Sequence, residues 1–245
     1  MDNIKFIKAK EKVEHSKEKI EGIGTLSEKT MHAILKNYFE PNMSNQEIKV
    51  GRKYADIYNE NGIIEIQTKQ FNKLRDKLNE FLPKYKVTIV YPIAYNKWIY
   101  WIDNNTGEVT KGRKSPKTGE ANDAFLELYK IKNFLKDRNL SICIMLLHIE
   151  EYRNLNGWSK DRKKGSHCID RIPMKIEKEI MINTIEDYGK LIPQNIDEEF
   201  TSKDYSLGAK IKRGTAQTAL NVLTYLKQVE RVGKKGNTII YKKVW

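Results

Sequence analysis

The spacing of apolar residues along the chain predicts an alternation of helices and strands. Apolar residues recur at helical spacing in three segments, residues 25–39, 71–83 and 122–137, which predicts amphipathic helices there. Shorter β-type runs predict strands at residues 47–50, 54–58, 63–68, 86–91, 98–102, 108–111 and 140–148. This order of elements indicates an α/β core in which a mixed central sheet is flanked by helices.

Changes in composition divide the chain into four predicted parts. Residues 1–21 alternate Lys and Glu with few apolar positions, which is typical of a charged arm or a solvated helix. The α/β core is predicted over residues 22–173. Residues 174–199 are predicted to form a connecting helix and a linker, with Pro193 after the helix. Residues 200–245 form the fourth part.

The last part of the sequence has the pattern of two helices followed by a hairpin. Gly214 precedes the second helix, which runs to Lys227, and a Gly-Lys-Lys-Gly turn at residues 233–236 separates two β-type runs. The pattern resembles the winged-helix family, an α+β fold whose second helix enters the DNA major groove. The resemblance predicts DNA contacts by these residues of the second helix and the wing: Arg213, Thr215, Gln217, Thr218, Asn221, Lys234 and Lys235. Winged helices also serve as protein-binding modules, and that alternative stays open.

The distribution of charge favours the nucleic-acid interpretation. The 245 residues carry a formal charge of +13, from 45 Lys and Arg against 32 Asp and Glu. Residues 200–245 contain ten basic and two acidic residues, a net charge of +8, so more than half of the excess lies in the last fifth. Such clustering predicts binding to a polyanion, double-stranded DNA first, rather than a uniformly Lys-rich composition. A basic loop at residues 153–165 is a second candidate contact, or a solvated loop.

The two cysteines, Cys143 and Cys168, provide neither a disulfide framework nor a four-ligand zinc site. No targeting segment and no apolar run of membrane-spanning length is evident. A cytoplasmic protein with no membrane partner is therefore expected.

Two acidic residues lie on either side of the predicted hairpin turn at Asn61-Gly62. Asp56 belongs to the strand before the turn, and Glu65 with Gln67 to the strand after it. Because side chains alternate along a strand, Glu65 and Gln67 share one face, where the hairpin can bring Asp56 alongside. Two carboxylates held together repel each other, and a divalent cation removes that cost. The pattern predicts a Mg²⁺ site, at which Mn²⁺ can substitute.

This arrangement resembles the PD-(D/E)xK, or restriction-endonuclease-like, nuclease superfamily, in which an acid on one strand is followed by Asp/Glu-x-Lys on the next. The resemblance implies that Asp56 and Glu65 hold the metal and that Gln67, in the place of the usual lysine, orients water or phosphate. Lys69 is a reserve for the missing lysine. The superfamily often adds an acid from its first helix, which implies Glu28 as a third metal ligand. Thr25 and Glu28 also form a capping-box pattern.

The sequence therefore predicts a metal-dependent endonuclease that hydrolyses DNA phosphodiester bonds, in the setting of restriction or defence. Cutting both strands predicts a homodimer. The alternative is a DNA-binding winged-helix regulator whose nuclease-like domain is inactive, and Gln67 in place of Lys favours it. A nuclease directed at RNA is a third reading of the same features.

Overall fold

The computed structural model describes residues 2–18, 30–103, 105–154 and 167–244. Within them the α-helices are α1 (Asn3–Glu18), α2 (Thr30–Phe39), α3 (Arg75–Phe81), α4 (Phe125–Leu128), α5 (Ser202–Gly208) and α6 (Arg213–Tyr225). Short 3₁₀ helices cover Met43–Asn45, Phe71–Leu74, Ala121–Ala124, Tyr129–Phe134 and Glu186–Leu191. The strands are β1 (Gln46–Val50), β2 (Lys53–Asn59), β3 (Gly62–Ile66), β4 (Val87–Ile102), β5 (Arg113–Lys114), β6 (Leu140–Asn154), β7 (His167–Ile182), β8 (Glu199–Thr201), β9 (Val229–Lys235) and β10 (Thr238–Lys243).

Seven strands of the described residues form one large sheet, in the order β1-β2-β3-β4-β6-β7, with β5 paired to β4. Strands β2 and β3 are antiparallel, whereas β3 and β4 are parallel. Gly62 opens β3 with φ +114°, and a Cβ there would lie 2.4 Å from the carbonyl oxygen of Lys86, so only glycine fits this turn. The predicted class, a mixed α/β structure with a large mixed sheet flanked by helices, is confirmed.

The chain divides into two compact units, each built from three separate segments. The first unit comprises Met1–Ile48, Ala94–Gly119 and Leu146–Glu179, and the second comprises Lys49–Ile93, Glu120–Met145 and Ile180–Trp245. The four continuous domains expected from composition stay a prediction.

In the first unit, helix α1 packs against helix α2. Phe6, Ala9 and Val13 recur at helical spacing and are buried, and the ring of Phe6 meets that of Tyr38 edge to face at 5.8 Å. Residues Asn3–Glu18 therefore form a helix, one of the two structures predicted for this segment, but the apolar side of the helix is packed rather than solvated.

In the second unit, the helical segment after β3 covers the sheet. Phe71, Leu74, Leu78 and Phe81 are all buried, as their spacing predicts. The first four residues of this segment form a 3₁₀ turn that continues into α3, and the helix ends before Pro83. This short segment lies beside the strands that carry the acidic pair.

The connecting helix predicted within residues 174–199 is wrong. Residues up to Ile182 belong to strand β7, which passes through Pro173, and a short 3₁₀ helix at Glu186–Leu191 follows. The reason is that Ile176, Ile180 and Ile182 are β-branched and suit a strand once a neighbouring strand offers hydrogen bonds. Similarly, two strands predicted at residues 86–91 and 98–102 are one continuous strand, β4.

The last 45 described residues fold as β8-α5-α6-β9-β10. Strand β10 lies between β8 and β9 and is antiparallel to both. Thr201 begins α5 with a capping box, in which its hydroxyl accepts from the Asp204 amide and the Asp204 carboxylate accepts from the Thr201 amide. Tyr205 is buried, and its hydroxyl donates to the Asn122 side chain (2.6 Å), which ties these elements to the rest of the second unit.

In the parts of the chain that the structure describes, no helix combines the length and the apolar character needed to cross a membrane.

Candidate active site

The β2–β3 hairpin brings the two predicted acids together. Ile57 pairs with Ile64, and continuing this antiparallel register by one residue places Asp56 opposite Glu65. Directly opposed residues project to the same face of a sheet. The Asp56 carboxylate is further fixed by a hydrogen bond from the Ile66 amide, at 2.7 Å. The hairpin geometry expected from the sequence is therefore present.

Glu65 is a buried acid with one oxygen paired and the other not. The Glu65 residue is only 2% exposed. The Lys77 amine on α3 donates to Oε2 at 2.7 Å, whereas Oε1 is buried and has no hydrogen-bond partner among the described residues. A buried carboxylate oxygen without a partner costs stability, and such an atom in a folded protein points to an ion or water that completes it.

The surroundings of Glu65 raise its pKa from an ordinary 4.5 to about 7. Burial is the largest cause, because it disfavours the charged form, and the nearby Asp56 carboxylate adds to it. The charge and the hydrogen bond of Lys77, and after them a hydrogen bond from the Asp56 backbone, act in the opposite direction. Glu65 therefore changes its charge near neutral pH, where a second cation would favour the ionised form.

The donor set fits a hard divalent cation in part. Asp56 and Glu65 supply carboxylate oxygens on one face, and Mg²⁺ in proteins is commonly held by one or two carboxylates with water in the remaining positions. Among the described residues, no group of three or more His, Cys, Asp or Glu side chains is arranged to hold a metal. Glu28, the predicted third ligand, lies outside the described residues.

Gln67 lies at the end of β3 and its amide is already engaged. Its Nε2 donates to the Lys69 carbonyl at 2.5 Å, and its backbone amide donates to the Val90 carbonyl at 2.9 Å. Lys69, the reserve candidate, is exposed. The cation that contacts Glu65 is instead Lys77.

Sequence reasoning missed Lys77 because it belongs to a different element from the acids. A signal was present, since Lys77 follows the buried Leu74 by three positions and precedes the buried Leu78. A lysine at the edge of a buried helical face can extend its amine toward the packed side. Only the packing of α3 decides which carboxylate it meets.

The residues predicted to contact DNA divide into exposed and buried ones. Arg213, Gln217 and Asn221 are exposed and recur every four residues along α6, so they share one face. Thr215 is only 8% exposed and lies on the packed side with Ala216, which corrects its expected orientation. Thr218 is half-buried and donates to the Gly214 carbonyl at 3.1 Å.

The hairpin of β9 and β10 exposes Lys234 and Lys235 near its tip, where Gly236 has φ +59°. A further basic region adjoins α6 within the second unit. The Lys132 amine donates to the Asn221 side chain at 3.2 Å, and the Lys136 amine lies 4.1 Å from the centre of the Tyr225 ring. The basic loop expected at residues 153–165 falls outside the described residues from residue 155 onward.

Comparison with known proteins places the chain in a family. Residues 29–183 match the family described as "Domain of unknown function (DUF8091)", more than half of the chain. The chain is also similar to an uncharacterized protein of Treponema pallidum (strain Nichols), with 26% identity over 225 residues that cover 90% of this chain and 87% of that protein. No solved structure matches. The match to the family includes both acids and Lys77.

Proposed function

We propose that this chain, which belongs to the DUF8091 family, is a metal-dependent endonuclease that hydrolyses phosphodiester bonds in DNA. The observation that carries the proposal is the buried Glu65 carboxylate, whose Oε1 has no hydrogen-bond partner in the described parts of the chain and whose neighbour across the hairpin is Asp56. A purely structural acid in this position would be expected to have both oxygens satisfied. The proposal agrees with the resemblance to the PD-(D/E)xK superfamily.

In the proposed site, Asp56 and Glu65 bind Mg²⁺, or Mn²⁺ in its place, and Glu28 is a candidate third ligand. The bound metal would supply charge neutralisation on the scissile phosphate and an activated water. Lys77 holds Oε2 of Glu65 and so leaves Oε1 for the metal. Because the pKa of Glu65 is about 7, the fraction of this carboxyl that is protonated at neutral pH would have to release its proton to solvent for Glu65 to hold a metal.

We assign to Lys77 the positive charge that the superfamily places at the position of Gln67. Its amine lies 2.7 Å from Glu65, so it is close enough to position the carboxylate and to stabilise negative charge nearby. Gln67 keeps the proposed role of orienting water or phosphate only if its amide leaves the Lys69 carbonyl.

The C-terminal elements support DNA as the substrate. The order β8-α5-α6-β9-β10, with β10 in the middle of its sheet, is the arrangement expected of a winged helix. In this reading α6 presents Arg213, Gln217 and Asn221 to the major groove, and Lys234 and Lys235 contact the backbone from the wing. The half-buried Thr218 and the buried Thr215 support the helix instead. A homodimer would cut both strands.

The test is cleavage of supercoiled plasmid DNA by the purified full chain with about 5–10 mM Mg²⁺, a concentration range that suits weak carboxylate sites. We expect cleavage that EDTA abolishes and that Glu65→Gln lowers at least about 100-fold, the scale of losing a major electrostatic group in an active site. The matched control is Glu60→Gln, which changes an exposed acid at the turn of the same hairpin. Equal activity of the two variants would overturn the site.

A DNA-binding regulator with an inactive nuclease-like domain is the second candidate. It is favoured by the engagement of the Gln67 amide with Lys69 and by the lack of a third described acid in the site. Duplex binding without cleavage of any DNA or RNA, with Mg²⁺ or Mn²⁺, would establish this candidate in place of the nuclease. Cleavage of RNA alone would keep the site and change the substrate.

A further inference from the structure

The second unit contains a cavity of about 760 Å³ that lies outside the acidic site. Its walls come from the 3₁₀ helix Glu186–Leu191, from the residues that follow α6 and from the end of β10. Cavities of roughly 300–1,000 Å³ are the size that small-molecule ligands occupy. The volume is therefore sufficient for a ligand much larger than a single inorganic ion.

Three lysines and one glutamate are among the residues that line this cavity. They are Lys136, Lys190, Lys227 and Glu186, a formal charge of +2 that the Asp187 carboxylate paired with Lys190 reduces to +1. The Lys190 amine is paired with the Asp187 carboxylate at 2.7 Å, and the Lys136 amine lies 4.1 Å from the centre of the Tyr225 ring. Cations that are already positioned lose less freedom when an anion binds, so the cavity is suited to one.

Lys227 occupies a backbone position that favours glycine. It lies two residues after the end of α6, next to the cap residue Leu226, with φ +59°, the left-handed conformation in which helices usually end on glycine. A lysine there lowers stability relative to glycine. The residue that lines the cavity at this position is therefore a lysine where the backbone favours glycine.

The remaining walls are apolar or carry amides. Ile185, Leu226 and Val244 offer apolar surface, and Gln194 and Gln228 add amide groups. Val244 and the lining lysines Lys190 and Lys227 are exposed, so the cavity is open to solvent on their side. An open site lined by apolar residues, amide residues and three lysines matches a ligand that has a planar ring at one end and several negative charges at the other.

We propose that this cavity binds a nucleoside phosphate, with its phosphates on the lysine amines and its base against the apolar wall. The inference goes beyond the nuclease proposal and does not depend on it, since no residue of the acidic site takes part.

The experiment is calorimetric titration of the full chain with ATP, compared with adenosine and with pyrophosphate. The variant is Lys227→Gly, and the matched control is Lys210→Gly, because Lys210 is an exposed lysine with φ +54° after α5 and does not line the cavity. Both substitutions relieve the same backbone conformation, and both should raise Tm by about 2–4 °C. A change in folding therefore cannot explain a loss of binding.

We expect ATP to bind saturably, Lys227→Gly to weaken it by about tenfold, as for one charge-assisted contact, and Lys210→Gly to leave it unchanged. Absence of saturable ATP binding would overturn the proposal. So would equal weakening by both variants, which would mean general attraction to a basic surface. Binding of pyrophosphate or adenosine as tight as that of ATP would also overturn it, because half of the proposed site would then be unused. A Lys227→Gly variant that binds ATP as tightly as the unchanged chain, and is weakened only in its binding of duplex DNA, would likewise overturn the proposal.

Discussion

Two buried glutamates on strands of the large sheet, Glu65 and Glu151, differ in the number and sign of the charged groups that surround them. Glu65 on β3 contacts a single amine, that of Lys77, and faces a second acid, Asp56. Glu151 on β6 is fully buried and contacts three cations: the Lys97 amine at 3.2 Å, the Arg171 Nε at 2.8 Å and the guanidinium of Arg153. The Glu65 carboxylate therefore shares one cation with a second acid, whereas the Glu151 carboxylate is surrounded by three cations.

The pKa values of the two acids move in opposite directions as a result. Burial alone would raise the pKa of Glu151, but the hydrogen bond and charge of Arg171, with Lys97 and Arg153, lower the pKa to about 2. Burial and Asp56 raise that of Glu65 to about 7. A buried acid that stays ionised at every physiological pH serves stability, whereas one that titrates near neutral pH and lacks a partner on one oxygen is suited to binding a cation.

The largest expected effect is the loss of stability on Glu151→Gln. The substitution leaves two guanidinium groups and an amine around a neutral amide, so the free energy of unfolding should fall by roughly 3–5 kcal/mol. Urea denaturation at pH 7 measures it. The neighbouring change Glu150→Gln is the control, since that residue is only half-buried and its amide oxygen can still accept from one of the two tyrosine hydroxyls while its NH2 donates to the other. Equal stability of both variants would mean that the three cations are solvated rather than held by Glu151.

The next effect is a pH dependence of opposite sign at the two sites. The folded-state pKa of Glu65 is raised, so its contribution is complete below about pH 4.5 and is lost as pH rises through about 7. The folded-state pKa of Glu151 is lowered, so its contribution is present above about pH 4.5 and is lost as pH falls toward 2. Each shift corresponds to about 3 kcal/mol as an order of magnitude.

Stability measured by urea denaturation from pH 2 to pH 8, without metal, separates the two contributions. Glu65→Gln should flatten the decline between pH 4.5 and 7 and leave the acid side unchanged. Saturating Mg²⁺ should reduce the same decline, because it favours ionised Glu65. A decline that persists in Glu65→Gln would show that other groups cause it.

A smaller effect is expected for Lys77→Met, which removes the amine beside Glu65 and keeps most of the aliphatic volume. The pKa of Glu65 should then rise further, so the loss in the free energy of unfolding should appear mainly at pH values at which Glu65 is ionised. We expect a loss of roughly 1–2 kcal/mol at pH 8 and much less at pH 5, where protonation relieves the unpaired charge. Lys73→Met, on an exposed position of the same helical segment, is the control. Equal losses at both pH values would mean that Lys77 acts through packing alone.

The smallest effect is expected for Gln67→Ala. The hydrogen bond from the Gln67 side-chain amide to the Lys69 carbonyl lies at the surface, so the loss of this hydrogen bond should lower the free energy of unfolding by roughly 0.5 kcal/mol. Plasmid cleavage should fall less than about tenfold, because the cation beside Glu65 comes from Lys77. A loss as large as that of Glu65→Gln would return the central role to Gln67.

Local patterns predicted the elements whose residues interact with near neighbours. The alternation in β2 and β3 around the Asn61-Gly62 turn, and the spacing of Phe71, Leu74 and Leu78, were sufficient for the hairpin and for the helix after it. The connecting helix failed because the spacing of isoleucines in residues 176–182 fits a strand as well, and a neighbouring strand decided between them.

By itself, the sequence determined the mixed α/β class, the hairpin that opposes Asp56 to Glu65 and the helix-helix-hairpin order of the last 45 residues, because these follow from periodicity and turn chemistry over short distances. Only the tertiary structure decided that Lys77 pairs with Glu65, that Lys97 and Arg171 converge on Glu151 from distant parts of the chain and that Lys227 lines a cavity with Lys136 and Lys190. Those groups are separated along the chain, and the burial that sets their charge states exists only after the chain has folded.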